Sequence, residues 1–250
     1  MHLDGAVAIV TGAGRGIGAA TARALAARGA RVVALSLDSD ELRATAKDIG
    51  GDVVCADVRD PAHADAVVAH ALDTYGRLDV VVANAGIGHF GPFADMPPER
   101  ISDLVATNVT APMVLARSAL PPMLEQRRGA LIFMSSIVGA LPVPRESVYG
   151  ATKAAVDGFA DPLREEVRGS GVTVSTVCPT VVDTKFFAYR GEPYDRKFPR
   201  KISPERIAQA VVDAAENGKA RYVVPRWMAM PMRLRGVAPA TYRTISRPFS

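Results

Sequence analysis

Cysteine is scarce in this chain of 250 residues: it has two, Cys55 and Cys178, beside a single tryptophan. Each cysteine ends an expected strand, so both read as small buried thiols. Two such thiols supply neither a disulfide framework nor a metal site, and a reducing, cytoplasmic setting is expected. Acid is missing from the last stretch, where Lys219 to Ser250 carries one Lys, six Arg and no Asp or Glu, a local charge of +7. The whole chain is only +4, so the body is near −3 and the excess is a basic tail on an otherwise balanced protein. No apolar run approaches the ~20 residues that span a bilayer. The start, which carries Asp4, has no charged-then-apolar leader, so no signal peptide is expected. Repeats, low-complexity tracts and linkers are lacking as well. What is present is 48% apolar and 22% charged, a composition that excludes disorder and suits one large domain with a sizeable core.

The most informative stretch runs from Leu131 to Ala160. Leu131, Ile132 and Phe133 form an apolar run that reads as a buried parallel strand ending at Ser135-Ser136. Ser147 then opens a segment of helical period that contains Tyr149 and Lys153. Residues four apart share a helix face, so the phenol and the ammonium emerge side by side. A nearby cation favours the phenolate, and the expectation is a Tyr pKa lowered from its usual ~10 toward proton exchange near neutral pH. Ser136 stands at a strand's C-terminal end, where open α/β sheets build their sites. A solvated helix face carrying Tyr and Lys would show the same spacing, so the rest of the chain must decide.

Near the start, the apolar strand Ala6 to Val10 runs into Thr11-Gly12-Ala13-Gly14-Arg15-Gly16-Ile17-Gly18 and then into an Ala-rich helix over Ala19–Arg28. Strand, glycine turn and helix form an anion cradle: the glycines let backbone approach a pyrophosphate, and the helix start offers unpaired N–H groups and a positive dipole end. The spacing is T-G-x-x-x-G-x-G, because Ile17 stands where G-x-G-x-x-G needs glycine. Alternation continues along the chain. Strands are expected at 31–35, 53–55, 78–83, 131–134, 172–177 and 222–224. Helices are expected at 40–49 (capped by Asp38 or Ser39), 61–75 (capped by Asp60, with Pro61 at the first position), 98–128 with a break near Pro112, 147–168 and from Ser203-Pro204. Strands alternating with helices predict a parallel sheet covered on both faces.

With Asn84-Ala85-Gly86 the set of motifs resembles the short-chain dehydrogenases/reductases in their single-domain form, over roughly residues 5 to 225. The resemblance implies a Rossmann-type doubly wound α/β fold of about seven strands, with residues 1–225 as one domain and 226–250 as an extension. It implies that Gly12, Arg15, Gly16, Ile17 and Gly18 form the cofactor loop and that Asp57 and Val58 contact the adenine ring. Asn84, Ala85 and Gly86 would brace the sheet beside the cofactor. Asn108, Ser136, Tyr149 and Lys153 match the family's catalytic four, the thirteen residues before the Tyr selecting Ser136 over Ser135. The implied reaction is hydride transfer between a nicotinamide and an alcohol or carbonyl carbon. Tyr149 would be the general acid/base, Ser136 the holder of the substrate oxygen, Lys153 the group that tunes the Tyr and holds the ribose, and Asn108 the anchor of a relay water. A homodimer or homotetramer is implied too. The rival is a dinucleotide-sensing protein on the same fold, which needs no catalytic four.

Three departures stand out. Pro179-Thr180 replaces the family's Pro-Gly turn, although Thr184 keeps its Thr. Pro162 interrupts the helix of Tyr149 and is expected to kink it. Ser36 takes the place of the acid that binds the NAD ribose, and with Arg15 it favours NADP; Asp38, two residues on, keeps NAD as the alternative. The segments 87–96 and 181–200 mix Phe90, Phe93, Phe186, Phe187, Tyr189, Tyr194 and Phe198 with Gly and Pro, as lids over a lipophilic alcohol or ketone would; core-edge or subunit packing is the other reading. His89 could touch substrate, although a lone loop histidine more commonly reads as solvated. The tail is expected to pack on the domain or a partner subunit, with peripheral membrane contact through 226–250 the less favoured reading, because Pro225, Pro231 and Pro239 prevent a long helix. No aromatic-basic pattern points to nucleic acid.

Overall fold

The computed structural model describes residues 1–37, 39–195, 198–240 and 242. Seven strands form one parallel sheet: β1 (Val7–Thr11), β2 (Arg31–Ser36), β3 (Asp52–Cys55), β4 (Val80–Ala83), β5 (Gly129–Met134), β6 (Val172–Pro179) and β7 (Arg221–Val224), in the order β3-β2-β1-β4-β5-β6-β7. The order reverses between β1 and β4, which pair through Ala8↔Val80 and Val10↔Val82. At such a reversal the crossovers leave to opposite faces and open a crevice beyond the strand ends.

The helices are α1 (Gly16–Ala26), α2 (Asp40–Ile49), α3 (Pro61–Tyr75), α4 (Pro98–Val105), α5 (Ala111–Glu125), α6 (Ile137–Ala140), α7 (Ser147–Glu166), α8 (Phe186–Tyr189), α9 (Pro204–Asn217) and α10 (Ala229–Val237). Strand side chains alternate between two cores, as the pleat demands. Ala8 and Val10 of β1 join the core of α1 and α9, with Ala22, Leu25, Ile207 and Val211. Val7 and Ile9 join that of α3, α5 and α7, with Val67, Leu115 and Val156. Covering both faces is why the strands read as unbroken apolar runs.

Several boundaries differ from expectation for local reasons. Ser39 caps α2, its hydroxyl accepting from Leu42 N at 3.1 Å, while Asp38 lies outside the described residues. The break expected near Pro112 is a widened turn over 106–110, where Ala111 N donates to Ala106 O, five residues back. Pro112 has no N–H, so the α-helical bond to the carbonyl of Asn108 cannot form, and the wider turn absorbs the defect. Helix α7 runs on through Pro162 to Glu166. Cys178 is buried as expected, but Cys55 is exposed, because β3 is an edge strand and its end is covered on one side only. In the tail, α10 is short: Pro231 sits in its first turn, where a missing N–H is tolerated, and the helix ends before Pro239. Met228 is buried and Arg235 donates to Ala140 O, which ties this part of the tail to α6, while Trp227 and Met230 stay exposed. Arg243 and Arg247 fall outside the described residues. Among the described residues no helix is long and apolar enough to cross a membrane.

One buried charge locks the N-terminal ends of β1 and β4. The Asp79 side chain is fully buried, accepts from Val7 N at 2.9 Å and Arg77 Nε at 2.7 Å, and pairs with Arg128 at 2.9 Å. Burial alone would raise its pKa; the Arg77 bonds, the Val7 amide and Arg128 outweigh it and hold the carboxyl below its usual value. A depressed carboxyl stabilises the fold above its unfolded pKa of ~3.9 and loses that contribution as pH falls through its lower folded value. Asp79→Asn, which leaves two cations without their partner, is expected to lower the unfolding free energy by about 3 kcal/mol in urea titrations at pH 7. The gap to the parent chain should begin to narrow as pH falls below ~4 and close once pH passes the carboxyl's lower folded value; a gap that does not narrow in acid would overturn this account.

Candidate active site

A cleft of about 910 Å³ opens at the β1/β4 reversal, lined by the glycine loop, the ends of β4, β5 and β6, and the start of α7. Its floor is fastened by Thr11. The Thr11 hydroxyl accepts from Asn84 N and Ala85 N, both at 3.0 Å, and Asn84 Nδ2 donates to Thr11 O at 2.9 Å. The loop above the floor has no room for side chains: a Cβ on Gly18 would lie 2.1 Å from Gly12 O. Gly16 turns at φ +55°, and its missing Cβ would meet Thr184 Cγ2 at 3.1 Å, so the loop also touches the segment after β6. The start of α1 has neither a side-chain cap nor an acid in its first turn. Such a helix start can take an anion on its N–H groups.

Arg15, Ser36, Asp57 and Val58 line the β2/β3 side of the same cleft. Arg15 stacks on the Tyr189 ring at 4.3 Å and lies 3.6 Å from Glu41. Glu41 also accepts from Lys185 at 2.8 Å, so two cations share one carboxylate there. Lys185 is a cleft residue that sequence reasoning missed; its only signal is its place directly after Thr184. Asp57 is held by Arg59, through Nε at 2.9 Å and Nη2 at 2.6 Å, and that hydrogen bonding keeps its carboxyl below the ordinary range.

On the opposite side, Asn108 sits in the widened turn and is almost fully buried. Its Oδ1 accepts from Ile87 N at 2.9 Å; its Nδ2 donates to Ile87 O at 2.9 Å and to Thr152 Oγ1 at 3.1 Å. The side chain is therefore spent on bracing the loop after Gly86, leaving its carbonyl as the group with spare capacity. Thr152, which in turn donates to Tyr149 O at 2.7 Å, is a second residue the sequence did not announce. Ser136 caps α6, 3.4 Å from Val138 N, and its hydroxyl lies 3.5 Å from Pro179 O.

Tyr149 is buried with Met96 and Leu104, its ring 5.5 Å from that of Phe186. Burial pushes its phenol above the usual value, Glu146 adds to this, and Ser136 and Arg190 pull the other way. Lys153 Nζ donates to Met134 O at 2.8 Å and stands 5.8 Å from the Tyr149 ring centre. Burial lowers Lys153 to about 8, against the pull of Asp157 and Cys178. The expected lowering of the phenol by Lys153 is thus not what this state holds: the ammonium is turned to a carbonyl, and removal from water dominates the phenol.

Thr180 replaces a glycine at no backbone expense, since among the described residues the only non-glycine positive φ values are at Arg127 and Arg145. Its amide donates to Val224 O at 3.0 Å. The aromatic residues of the two flanking loops divide. Phe186, Phe187 and Tyr194 form a chain of ring contacts at 5.7 and 5.4 Å leading away from Tyr149, whereas Phe93, Tyr189 and Phe198 are exposed. His89 is half-buried; burial and then Arg100 lower its pKa.

The sequence profile described as short chain dehydrogenase matches residues 6–195. Ketoacyl reductase HetN of Nostoc sp. is 35% identical over 227 residues, 89% of this chain and 79% of that protein. The crystal structure of a metagenomic short-chain oxidoreductase in complex with NADP is 36% identical, with a TM-score of 0.76 over 89% of this chain and 98% of that one. A short chain dehydrogenase/reductase from Burkholderia phymatum, in complex with NAD, has the same fold at TM-score 0.86 and 24% identity over 94% of each chain. With the profile spanning most of its length, and an oxidoreductase and a reductase above one-third identity, the chain belongs to the short-chain dehydrogenase/reductase family.

Proposed function

We propose that this family member interconverts an alcohol and a carbonyl by hydride transfer, with NADP preferred to NAD and Tyr149 as the general acid/base. The observation that carries the reading is the convergence of Ser136, Tyr149 and Lys153 on one wall of the cleft whose floor is the glycine cradle. The cradle fits a dinucleotide: the uncapped α1 start and the bare loop backbone would hold the pyrophosphate, and Asp57 and Val58 would flank the adenine. A bound nicotinamide supplies or accepts the hydride.

The protein residues manage the oxygen and the proton. Ser136 would hold the substrate oxygen, and Tyr149 would give it a proton in reduction and take one in oxidation. A buried phenol whose pKa is raised keeps its proton at neutral pH, which suits the reductive direction. Lys153 would leave Met134 O for the ribose hydroxyls, and the Asn108 carbonyl, denied its helical partner by Pro112, would hold the relay water. Pro179 and Thr184 would border the nicotinamide end. For NADP speak Ser36 in place of an acid and the excess cation at Arg15 and Lys185. The metagenomic relative bound to NADP and the ketoacyl reductase support the same reading. The apolar ring chain supports a lipophilic substrate. The reading includes a homo-oligomer in the cytoplasm, residues 1–225 as one domain, and a tail packed on the protein instead of a membrane.

Three outcomes are expected. Tyr149→Phe should lower kcat at least ~10²-fold on ketones, aldehydes and quinones, with nucleotide affinity little changed. NADPH binding with no turnover on the panel in the parent chain would instead support the sensor. Ser36→Asp should shift the NADP/NAD ratio of kcat/KM toward NAD by about tenfold, about one charge–charge contact's worth; an unchanged ratio refutes the assignment of Ser36. With its pKa lowered to about 8 by burial, Lys153 is mostly charged below that pH and mostly neutral above it. Dinucleotide affinity, followed by nucleotide fluorescence, should therefore weaken as pH rises through about 8, and Lys153→Met should flatten that dependence.

A further inference from the structure

The substrate half of the cleft holds an ion pair that hydride transfer does not require. Glu146, three residues before Tyr149, pairs with Arg190, and their side chains are only 8% and 6% exposed. The Arg190 guanidinium is sandwiched 4.6 Å from the Phe90 ring centre and 4.5 Å from that of Phe187. Arg145 covers the other Phe90 contact at 4.6 Å. Backbone ties converge on the same place: Phe90 N donates to Arg190 O at 3.0 Å, and Gly91 N donates to Arg145 O at 2.9 Å. Arg145 itself sits at φ +70°, a left-handed backbone that bulky residues avoid. Desolvating two charges is expensive, and apolar residues of similar size would commonly stabilise the fold as well. A pair kept in such a place invites a role tied to its charges.

Both residues line the same cleft as Tyr149: Gly150 N, next to Tyr149, donates to Glu146 O at 2.7 Å, and Arg190 stacks on Phe187, which touches Phe186, whose ring lies 5.5 Å from that of Tyr149. At that site the carboxylate raises the phenol and the guanidinium lowers it. A carboxylate beside the phenol opposes phenolate formation, and a guanidinium favours it. Among the described residues, the other charged groups named on the elements packed around the ring are engaged elsewhere, exposed or neutral. On α7, Lys153 faces Met134 O. On α4, Arg100 donates to Gly88 O at 2.7 Å and Asp103 pairs with Arg59 at 2.9 Å, while Glu99 is exposed. In the loops, Arg145 pairs with Glu192 at 3.5 Å and Lys185 with Glu41 at 2.8 Å, His89 is held toward its neutral form, and Asp95 is exposed. From the end of β5, Ser136 offers its hydroxyl.

We infer that Glu146 and Arg190 are a positioning pair for Tyr149: Arg190 neutralises the buried carboxylate three residues before it, and the pair fastens the end of α8, whose Phe186 packs on the Tyr149 ring. This rests on the reading of Tyr149 as the proton-transfer residue. A purely structural tie predicts that removing either partner does the same harm. A field-setting pair predicts opposite shifts. The test follows oxidation of 1-phenylethanol with NADP against pH, and in parallel the Tyr149 resonance by NMR of [13Cζ]tyrosine-labelled protein, assigned with Tyr149→Phe. Glu146→Gln should move the rising limb, and the phenol titration, about one pH unit lower; Arg190→Met should move them about one unit higher. The double variant Glu146→Gln/Arg190→Met should return close to the parent, which also controls for misfolding, since Met fills the slot between the two rings. Shifts in the same direction, or none, in folded single variants would overturn the proposal. Retained oxidation in Tyr149→Phe would instead overturn the general-base reading. Should 1-phenylethanol not be oxidised by the parent, the NMR titration decides alone.

Discussion

The hydrogen bonds from Asn84 and Ala85 to the Thr11 hydroxyl are the constraint on which the site depends. They join the loops leaving β1 and β4 at the one place where the sheet reverses direction. Without that fastening, the glycine loop would have no fixed floor and the Asn84-Ala85-Gly86 turn no fixed height. The glycines convert it into shape, because a Cβ at residue 18 would overlap the Gly12 carbonyl. From there the bracing spreads: Gly86 leads to Ile87, Ile87 to Asn108, Asn108 to Thr152, and Thr152 to the backbone of Tyr149. The floor of the cleft and Tyr149, on different layers, are thereby joined by a short run of hydrogen bonds.

Electrostatics at the site is a contest between burial and charge. Removal from water raises the Tyr149 phenol and lowers the Lys153 ammonium, so both side chains are driven toward neutrality. Ion pairs nearby are close enough to alter that balance without touching a substrate. A family member can therefore retain its four motif residues and still differ in working pH through neighbours that no motif names.

Much of the fold was legible because it is written locally. Apolar runs of four to six residues between glycine turns and caps specify parallel strands, and four-residue spacing on a helix specifies a shared face for Tyr149 and Lys153. What stayed hidden needed the third dimension. Cys55 looked like a core thiol because its strand is apolar, yet β3 lies at the sheet's edge, which no alternation reveals. Pro112 marked an irregularity but not its form. Asn108 was legible as a motif residue, whereas its attachment to Thr152 joins residues 44 positions apart. The direction of the Tyr149 shift was misjudged for the same reason: sequence spacing reports a neighbouring cation, and burial is a property of the folded whole.

The contact between α1 and α9 has a consequence for how the chain is made. Ala22 and Leu25 of the first helix share a core with Ile207 and Val211 of the last long one. During synthesis, Asn108, Ser136, Tyr149 and Lys153 all emerge while that face of α1 still lacks its cover. Contacts so distant in sequence close slowly, because the loop entropy is spent before they reward it. These four residues are thus made well before α1 gains its cover, and the helix that follows the earliest-made glycine loop is among the last parts to be packed.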